Sequence, residues 1–173
     1  CGTLPMAIAY AQYILCGNVD GENVGENTAC NLKFEHFSHP DLHFVFPVAT
    51  TDSIKSHAVS DNFMIEWRHF LTESPYGSLF DWLKNLGIQN KQGLIGVDEA
   101  TEINKKLSLK AYEGGYKVMI IWMADKMNGP SANKLLKLLE EPPAKTVFIL
   151  ITESTSDMLQ TILSRCQVID FIG

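Results

Sequence analysis

The chain has 173 residues, of which 46% are apolar and 20% are charged, and 14 basic against 20 acidic residues give a net charge of −6. This size and composition allow one domain with a sizeable core and exclude a disordered protein. The acidic balance argues against a chain that grips DNA by itself, because that task needs a basic face. No run of about 18 apolar residues predicts a membrane span, and no leader pattern is present, so we expect a cytoplasmic protein.

The first half of the chain is predicted to hold helices around one buried strand. Residues 4–15 indicate a helix with Pro5 in its first turn, where the missing N–H costs nothing. A polar loop over residues 17–25 follows. The nearly continuous apolar run 42–48 (LHFVFPV) predicts a strand that is buried on both faces.

Residues 60–87 are helical in pattern and belong to an aromatic-rich segment, residues 50–92. Its aromatic side chains either pack into the protein's own core or form a surface for a partner, and the sequence leaves both open. They are Phe63, Trp67, Phe70, Tyr76, Phe80 and Trp82.

The second half alternates helices with buried strands. Strands are predicted at 117–123 (KVMIIWM), 146–152 (TVFILIT) and 168–172, and helices at 97–109, 131–141 and 156–163. Pro142 and Pro143 stop the second of these helices. This alternation predicts an α/β fold with a mostly parallel sheet.

The cysteines and histidines give no standard metal pattern. Four cysteines (Cys1, Cys16, Cys30 and Cys166) are too few and too scattered for the disulfide framework of a secreted protein. His36, His39 and His43 lie near Cys30 in sequence. A metal site built from them stays an alternative to structural or solvated roles, although the spacing matches no standard zinc arrangement.

Several motifs occur in an order that points to one family. They are ANKLLKLLEEPP at 132–143, the strand 146–152, Ser164-Arg165-Cys166, and upstream His39-Pro40-Asp41 and Tyr116-Lys117-Val118. The order and separation resemble the clamp-loader branch of the AAA+ proteins over nearly the whole chain. The resemblance implies a P-loop-type, three-layer α/β/α domain over residues 1–173. It also implies that the helical lid and the C-terminal collar of that family are not in this sequence.

The resemblance gives Arg165 a role. In the family, the arginine of the Ser-Arg-Cys motif reaches the ATP site of the neighbouring subunit as a trans arginine finger, with Ser164 and Cys166 as motif neighbours. A guanidinium suits this task because it is always charged and meets phosphate oxygens in a fixed fork. The alternative is a structural salt bridge. Glu140 and Glu141 stand at the unfavourable end of a helix dipole, which suggests a partner surface or a merely solvated pair.

The residues that bind nucleotide in the family are replaced here. A phosphate-binding loop needs G-x-x-x-x-G-K-(S/T), whereas Gly2 is followed by Thr3 in the lysine position and by Leu4 in the metal-binding position. Trp122 and Met123 occupy the places of the acidic pair, with Asp125 two residues later. Thr152 stands at the sensor position. We therefore expect Gly2, Thr3 and Thr152 to be non-functional remnants, and we expect neither ATP binding nor any other cofactor.

The combination of a lost ATP site and a retained finger is typical of delta-prime subunits of the bacterial DNA polymerase III clamp loader. The resemblance implies a non-hydrolysing stator without intrinsic catalysis, as a component of the DNA polymerase III holoenzyme. It implies gamma/tau and delta subunits as partners, with the sliding clamp and primer-template DNA reached through the complex. Two alternatives stay open: an active gamma/tau-type ATPase, and a pseudo-ATPase interaction module outside replication.

Many delta-prime subunits also carry a zinc module with the spacing C-x8-C-x2-C-x2-C. Counted from Cys16, the other three positions hold Gly25, Thr28 and Asn31. Cys16 is thus the last zinc-ligand position that remains. We expect no bound zinc, and a residual loop over about residues 16–39.

Overall fold

A computed structural model describes residues 2–17, 28–113 and 115–171. In these residues the sheet consists of β1 (Leu42–Val45), β2 (Lys117–Trp122) and β3 (Thr146–Ile151), in the order β1-β2-β3. Both pairings are parallel, with Ile120 of β2 opposite Phe44 on one side and Ile149 on the other. The predicted α/β fold with a parallel sheet is confirmed.

Helices cover both faces of this sheet. One face carries α1 (Thr3–Cys16), α2 (Thr28–Glu35), α3 (Met64–Glu73) and α4 (Leu79–Asn85), and the other carries α5 (Val97–Ser108), α6 (Gly129–Glu140) and α7 (Gln160–Leu163). Successive residues of β2 point to opposite faces, so Ile120 and Trp122 enter the first core while Met119 and Ile121 enter the second. The result is the expected three-layer α/β/α arrangement. Within the described ranges, no helix is long and apolar enough to cross a membrane.

An aromatic cluster fills the first core. Trp67 of α3 stacks on Phe46 with ring centroids 4.2 Å apart and lies 5.2 Å from Trp122 of β2. The sequence left open whether the aromatic side chains of residues 50–92 pack into the core or form a surface for a partner. The structure places most of them in the core and two at the surface. Phe63, Trp67, Phe70 and Trp82 are buried in the core, whereas Tyr76 and Phe80 are exposed.

The first strand is shorter than predicted. It ends at Val45 because Pro47 has no N–H to donate to a ladder, and the N–H of Phe46 already donates to Ser60 Oγ at 3.0 Å. Val48 forms an isolated antiparallel bridge with Leu94 instead. The predicted helical region 60–87 is likewise divided into a 3-10 turn (Ser60–Phe63), α3 and α4.

The predicted strand 168–172 is wrong for the residues that are described. Residues 168–171 are irregular and exposed, and residue 172 lies outside the described part. A strand needs a hydrogen-bonded neighbour. In the described residues β3 pairs with β2 alone, so its second edge has no partner.

The residual loop predicted for about residues 16–39 also needs correction. The helix α1 runs to Cys16 and α2 occupies Thr28–Glu35, so much of this stretch is helical. Residues 18–27, which hold most of the predicted polar loop, lie outside the described residues. Cys16 and Cys30 form a disulfide with a Cα–Cα distance of 5.6 Å. The bridge was not predicted, because pairing between two helix positions depends on packing and not on spacing.

Candidate functional site

The side chain of Arg165 lies against its own chain at the end of α7. Its backbone N–H donates to the carbonyl of Ile162 in a tight turn. Its Nε donates to Glu140 Oε1 at 2.8 Å, and its Nη2 donates to the same oxygen. Its Nη1 donates to the carbonyl of Thr161 at 2.6 Å. The side chain is 29% exposed, so the guanidinium is held in place and yet reachable from solvent.

The neighbours of Arg165 in the motif have supporting positions. The hydroxyl of Ser164 lies 3.3 Å from Arg165 Nη1 and donates to the carbonyl of Thr161 at 3.2 Å. Cys166 is partly buried against the second core, and this burial raises the pKa of its thiol. The thiol therefore stays protonated at neutral pH and acts as an apolar anchor.

The acid that meets Arg165 comes from the other half of the family motif. Helix α6 begins at an Asn128 cap, whose side chain accepts from the N–H of Ser131 at 2.9 Å. It buries Ala132 and Leu135 and ends with Glu140. The sequence suggested a partner surface for this acid, but the structure gives it a partner within the chain. The signal available in the sequence was an acid at a helix C-terminus, where its charge is unfavourable without a cation.

A second group of polar side chains lies where β2 and β3 end. Thr152 Oγ1 is 2.9 Å from Asp125 Oδ1 and accepts a hydrogen bond from the N–H of Ser154 at 3.1 Å. The other carboxylate oxygen of Asp125 is 2.7 Å from Lys126 Nζ, and this hydrogen bond raises the pKa of Lys126. The structure thus brings Thr152 together with Asp125, which is engaged on both oxygens.

Trp122 and Met123, the residues expected in place of an acidic pair, are both buried apolar side chains. Trp122 is 2% exposed and packs against Trp67 and Phe70. Met123 is also buried, and its backbone is left-handed with φ of 54°. Such a conformation is uncommon outside glycine. Neither side chain offers an oxygen to a metal ion.

Gly2 and Thr3 lie at the start of α1. The carbonyl of Gly2 accepts from the N–H of Met6 at 3.2 Å, and a Cβ at Gly2 would lie 3.6 Å from the ring of Tyr76. Thr3 is the first residue of the helix. In the described part of the chain no hydrogen bond or ion pair joins these two residues to the Thr152 group.

The histidines of the alternative metal site have different surroundings. His39 is buried, with Nδ1 accepting from the N–H of Asp41 at 3.1 Å and Nε2 3.1 Å from Glu113 Oε2. Burial lowers the pKa of His39, and it lowers the pKa of His43 to about 4. Residues 2–17, 28–113 and 115–171 contain no group of three or more side chains arranged as metal ligands.

Asp41 explains the His-Pro-Asp motif structurally. Its carboxylate accepts from the backbone N–H groups of Tyr112 and Glu113 at 2.6 and 3.0 Å. These bonds fix the segment before β2 to the start of β1.

Cys16, the residue expected to be the last zinc-ligand position, is bonded to Cys30 and so has no thiolate to offer a metal.

Comparisons with known proteins give a consistent result. The family described as "DNA polymerase III, delta subunit" matches residues 1–173. The DNA polymerase III subunit delta' of Haemophilus influenzae is 30% identical over 160 residues, which are 92% of this chain and 36% of that protein. The Escherichia coli subunit delta' is 40% identical over 83 residues, 48% of this chain and 25% of that protein. The chain therefore spans well under half the length of these relatives.

Two further similarities concern related subunits. The DNA polymerase III subunit tau of Bacillus subtilis is 42% identical over 76 residues, 44% of this chain and 14% of that protein. A solved structure of a DNA polymerase III gamma subunit-related protein from Thermotoga maritima matches with a TM-score of 0.49 at 20% identity. That match covers 88% of this chain and 40% of the solved one.

Proposed function

This chain belongs to the DNA polymerase III, delta subunit family, and from that premise we propose that it is a non-hydrolysing stator of the sliding-clamp loader in DNA replication. It docks in the cytoplasm beside a gamma/tau-type ATPase subunit and a delta subunit. It supplies Arg165 to the ATP site of the gamma/tau-type neighbour. The clamp and primer-template DNA meet it through the complex, in keeping with its net charge of −6.

The observation that carries the proposal is the position of Arg165. It follows the short helix α7 at the surface, and its side chain is 29% exposed. Its guanidinium is held by the carboxylate of Glu140 and by the backbone carbonyl of Thr161. A phosphate can replace either of these oxygen acceptors directly. An arginine at such a point stabilises the charge that develops during phosphoryl transfer in a neighbouring site.

The chain's own nucleotide side supports a role without hydrolysis. Phosphoryl transfer from Mg-ATP needs a cation on the phosphates and an acid or hydroxyl on the metal. Here Thr3 and Leu4 replace the lysine and the hydroxyl residue, and Trp122 is buried in the aromatic cluster. Asp125 is committed to Thr152 and Lys126.

The test of the finger is ATP hydrolysis by a reconstituted clamp loader that contains the full-length subunit. Arg165→Ala should lower turnover at the neighbouring ATP site by about 10³-fold. The ATPase rate of the whole complex should therefore fall by the fraction that this site contributes to it. Arg68→Ala is the matched control, because Arg68 is an exposed arginine that bonds a backbone carbonyl, that of Phe37. An ATPase rate unaffected by Arg165→Ala would remove the finger role.

Two binding measurements separate the alternatives. Calorimetric titration of the full-length protein with Mg-ATP should give no saturable signal, and saturable binding would favour an active gamma/tau-type ATPase. Mixing the protein with delta and gamma/tau subunits should give a stable complex on gel filtration. Failure to assemble would favour an interaction module outside replication.

A further inference from the structure

Arg165 is already neutralised within its own chain. Nε and Nη2 both donate to Glu140 Oε1, and Nη1 donates to the carbonyl of Thr161. All three nitrogens of the guanidinium are thus engaged. A phosphate on a neighbouring subunit that takes the Nε–Nη2 side of the fork has to displace Glu140, which occupies both of these donors.

Within the described part of the chain, the ion pair and hydrogen bonds of the Glu140 side chain go to Arg165. Glu140 is the last residue of α6, where a negative charge opposes the helix dipole. Its side chain is 46% exposed, so burial does not account for it. Its neighbour Glu141 shares this location, yet in the described residues its carboxylate takes part in no ion pair. What distinguishes Glu140 is its contact with Arg165, 25 residues further along the chain.

The ion pair between Arg165 and Glu140 can be broken at little cost in free energy, so Arg165 can change partners. Both side chains are partly exposed, and a half-exposed ion pair contributes little free energy and is screened by salt. The carbonyl of Thr161 in α7 lies one turn before Arg165, so the guanidinium keeps a second acceptor while it changes partners. The arginine can therefore leave Glu140 without unfolding any part of α6 or α7.

We propose that Glu140 is a positioning residue that holds Arg165 on its own chain until the phosphate of a neighbouring subunit displaces it. This inference rests on the proposed function of Arg165 and adds a regulatory contact to it. Glu140 is the intramolecular competitor of the phosphate. Its carboxylate keeps the arginine ordered and withdrawn in the unassembled subunit, and it lowers the fraction of time for which the arginine engages the neighbour's ATP.

The test uses the reconstituted clamp loader with the full-length subunit, assayed for ATP hydrolysis in the absence of clamp and DNA. Glu140→Gln should raise kcat by about two- to fivefold, the range expected for the loss of one exposed ion pair. KM for ATP should stay the same, because the neighbour's own residues bind the nucleotide. Glu141→Gln is the matched control and should leave kcat unchanged, while Glu140→Asp keeps the charge and should restore the wild-type rate.

A double variant separates failure of this inference from failure of the proposed function. Glu140→Gln combined with Arg165→Ala should behave like Arg165→Ala alone, because Glu140 acts through the arginine. If Arg165→Ala lowers the rate but Glu140→Gln leaves it unchanged or lowers it, the holding role is wrong and the finger remains. A rise in kcat that persists in the double variant would also overturn the holding role. If Arg165→Ala has no effect, both proposals fall together.

Discussion

The hydroxyl of Thr152 lies 2.9 Å from Asp125 Oδ1 and joins the end of β3 to the turn that follows β2. The side chain of Asp125 is 5% exposed, and its second oxygen is paired with Lys126. A carboxylate satisfied on both oxygens is a structural link between two strand ends.

Thr152→Val should therefore destabilise the fold. The variant keeps the side-chain shape but leaves a nearly buried carboxylate with one partner fewer, at a cost of about 1.5–3 kcal/mol. Urea unfolding followed by tryptophan fluorescence measures the loss. Thr72→Val is the control, because the exposed Thr72 bonds the carbonyl of Arg68 within α3 and its loss should change stability by less than about 0.5 kcal/mol. Equal effects of the two variants would contradict the structural link.

An acid placed at position 122 should unfold the chain and should not create a metal site. Trp122 packs against Trp67 and Phe70 in the first core, so Trp122→Asp removes a large buried ring and buries a carboxylate. Loss of the ring alone costs about 3–5 kcal/mol. Circular dichroism should show loss of structure in Trp122→Asp and retention in Trp122→Phe. A folded Trp122→Asp protein that binds Mg-ATP would refute this expectation.

Glu99 should make stability depend on pH. Burial raises the pKa of its carboxyl to about 7 from an ordinary value of 4.5. Its Oε2 accepts from the N–H of Ser60, whereas its buried Oε1 has no hydrogen-bond partner among the described residues. Between about pH 4.5 and pH 7, Glu99 is protonated in the folded state and ionised in the unfolded state. Stability from this group is therefore complete below about pH 4.5 and is lost as the pH rises through about 7. The difference amounts to about 3 kcal/mol.

The matched comparison for this pH dependence is Glu99→Gln, which is neutral at every pH. The free energy of unfolding of the wild type relative to this variant should fall between about pH 5 and pH 8. Taking the difference cancels the opposite contribution of His43, whose lowered pKa removes stability as the pH falls. A difference that stays constant over this range would show that Glu99 is not buried as an acid.

The bridge between Cys16 and Cys30 should stabilise the contact of α1 with α2. It closes a separation of 14 residues, for which the loop-entropy relation gives about 3 kcal/mol. A reducing agent should lower Tm of the wild type and leave Tm of Cys16→Ser/Cys30→Ser unchanged. Cys166→Ser is the control and should keep the sensitivity of the wild type to reductant. Identical melting of the wild type with and without reductant would argue against the bridge.

The fold could be predicted where a local pattern decides the structure, and less well where a distant partner decides it. The apolar runs at β2 and β3 indicated strands, because a strand that is covered on both faces carries apolar side chains at successive positions. Residues 168–171 are also largely apolar, but they form no strand, because a strand needs backbone pairing with a neighbour and the structure gives these residues none. The Ser-Arg-Cys motif singled out Arg165 in the sequence, and its role as a finger stays a prediction. The contact of Arg165 with Glu140 did not follow from the motif, because only the packing of α6 against α7 brings the two together.

The open edge of β3 has a consequence for handling the isolated polypeptide. In the described residues β3 presents apolar side chains on both faces, and its outer row of N–H and C=O groups pairs with no other strand. Such an edge is a template for strand addition between molecules. Concentrated solutions of a recombinant chain with these 173 residues should therefore self-associate through intermolecular β-sheet, and a short peptide that adds one strand beside β3 should suppress the turbidity.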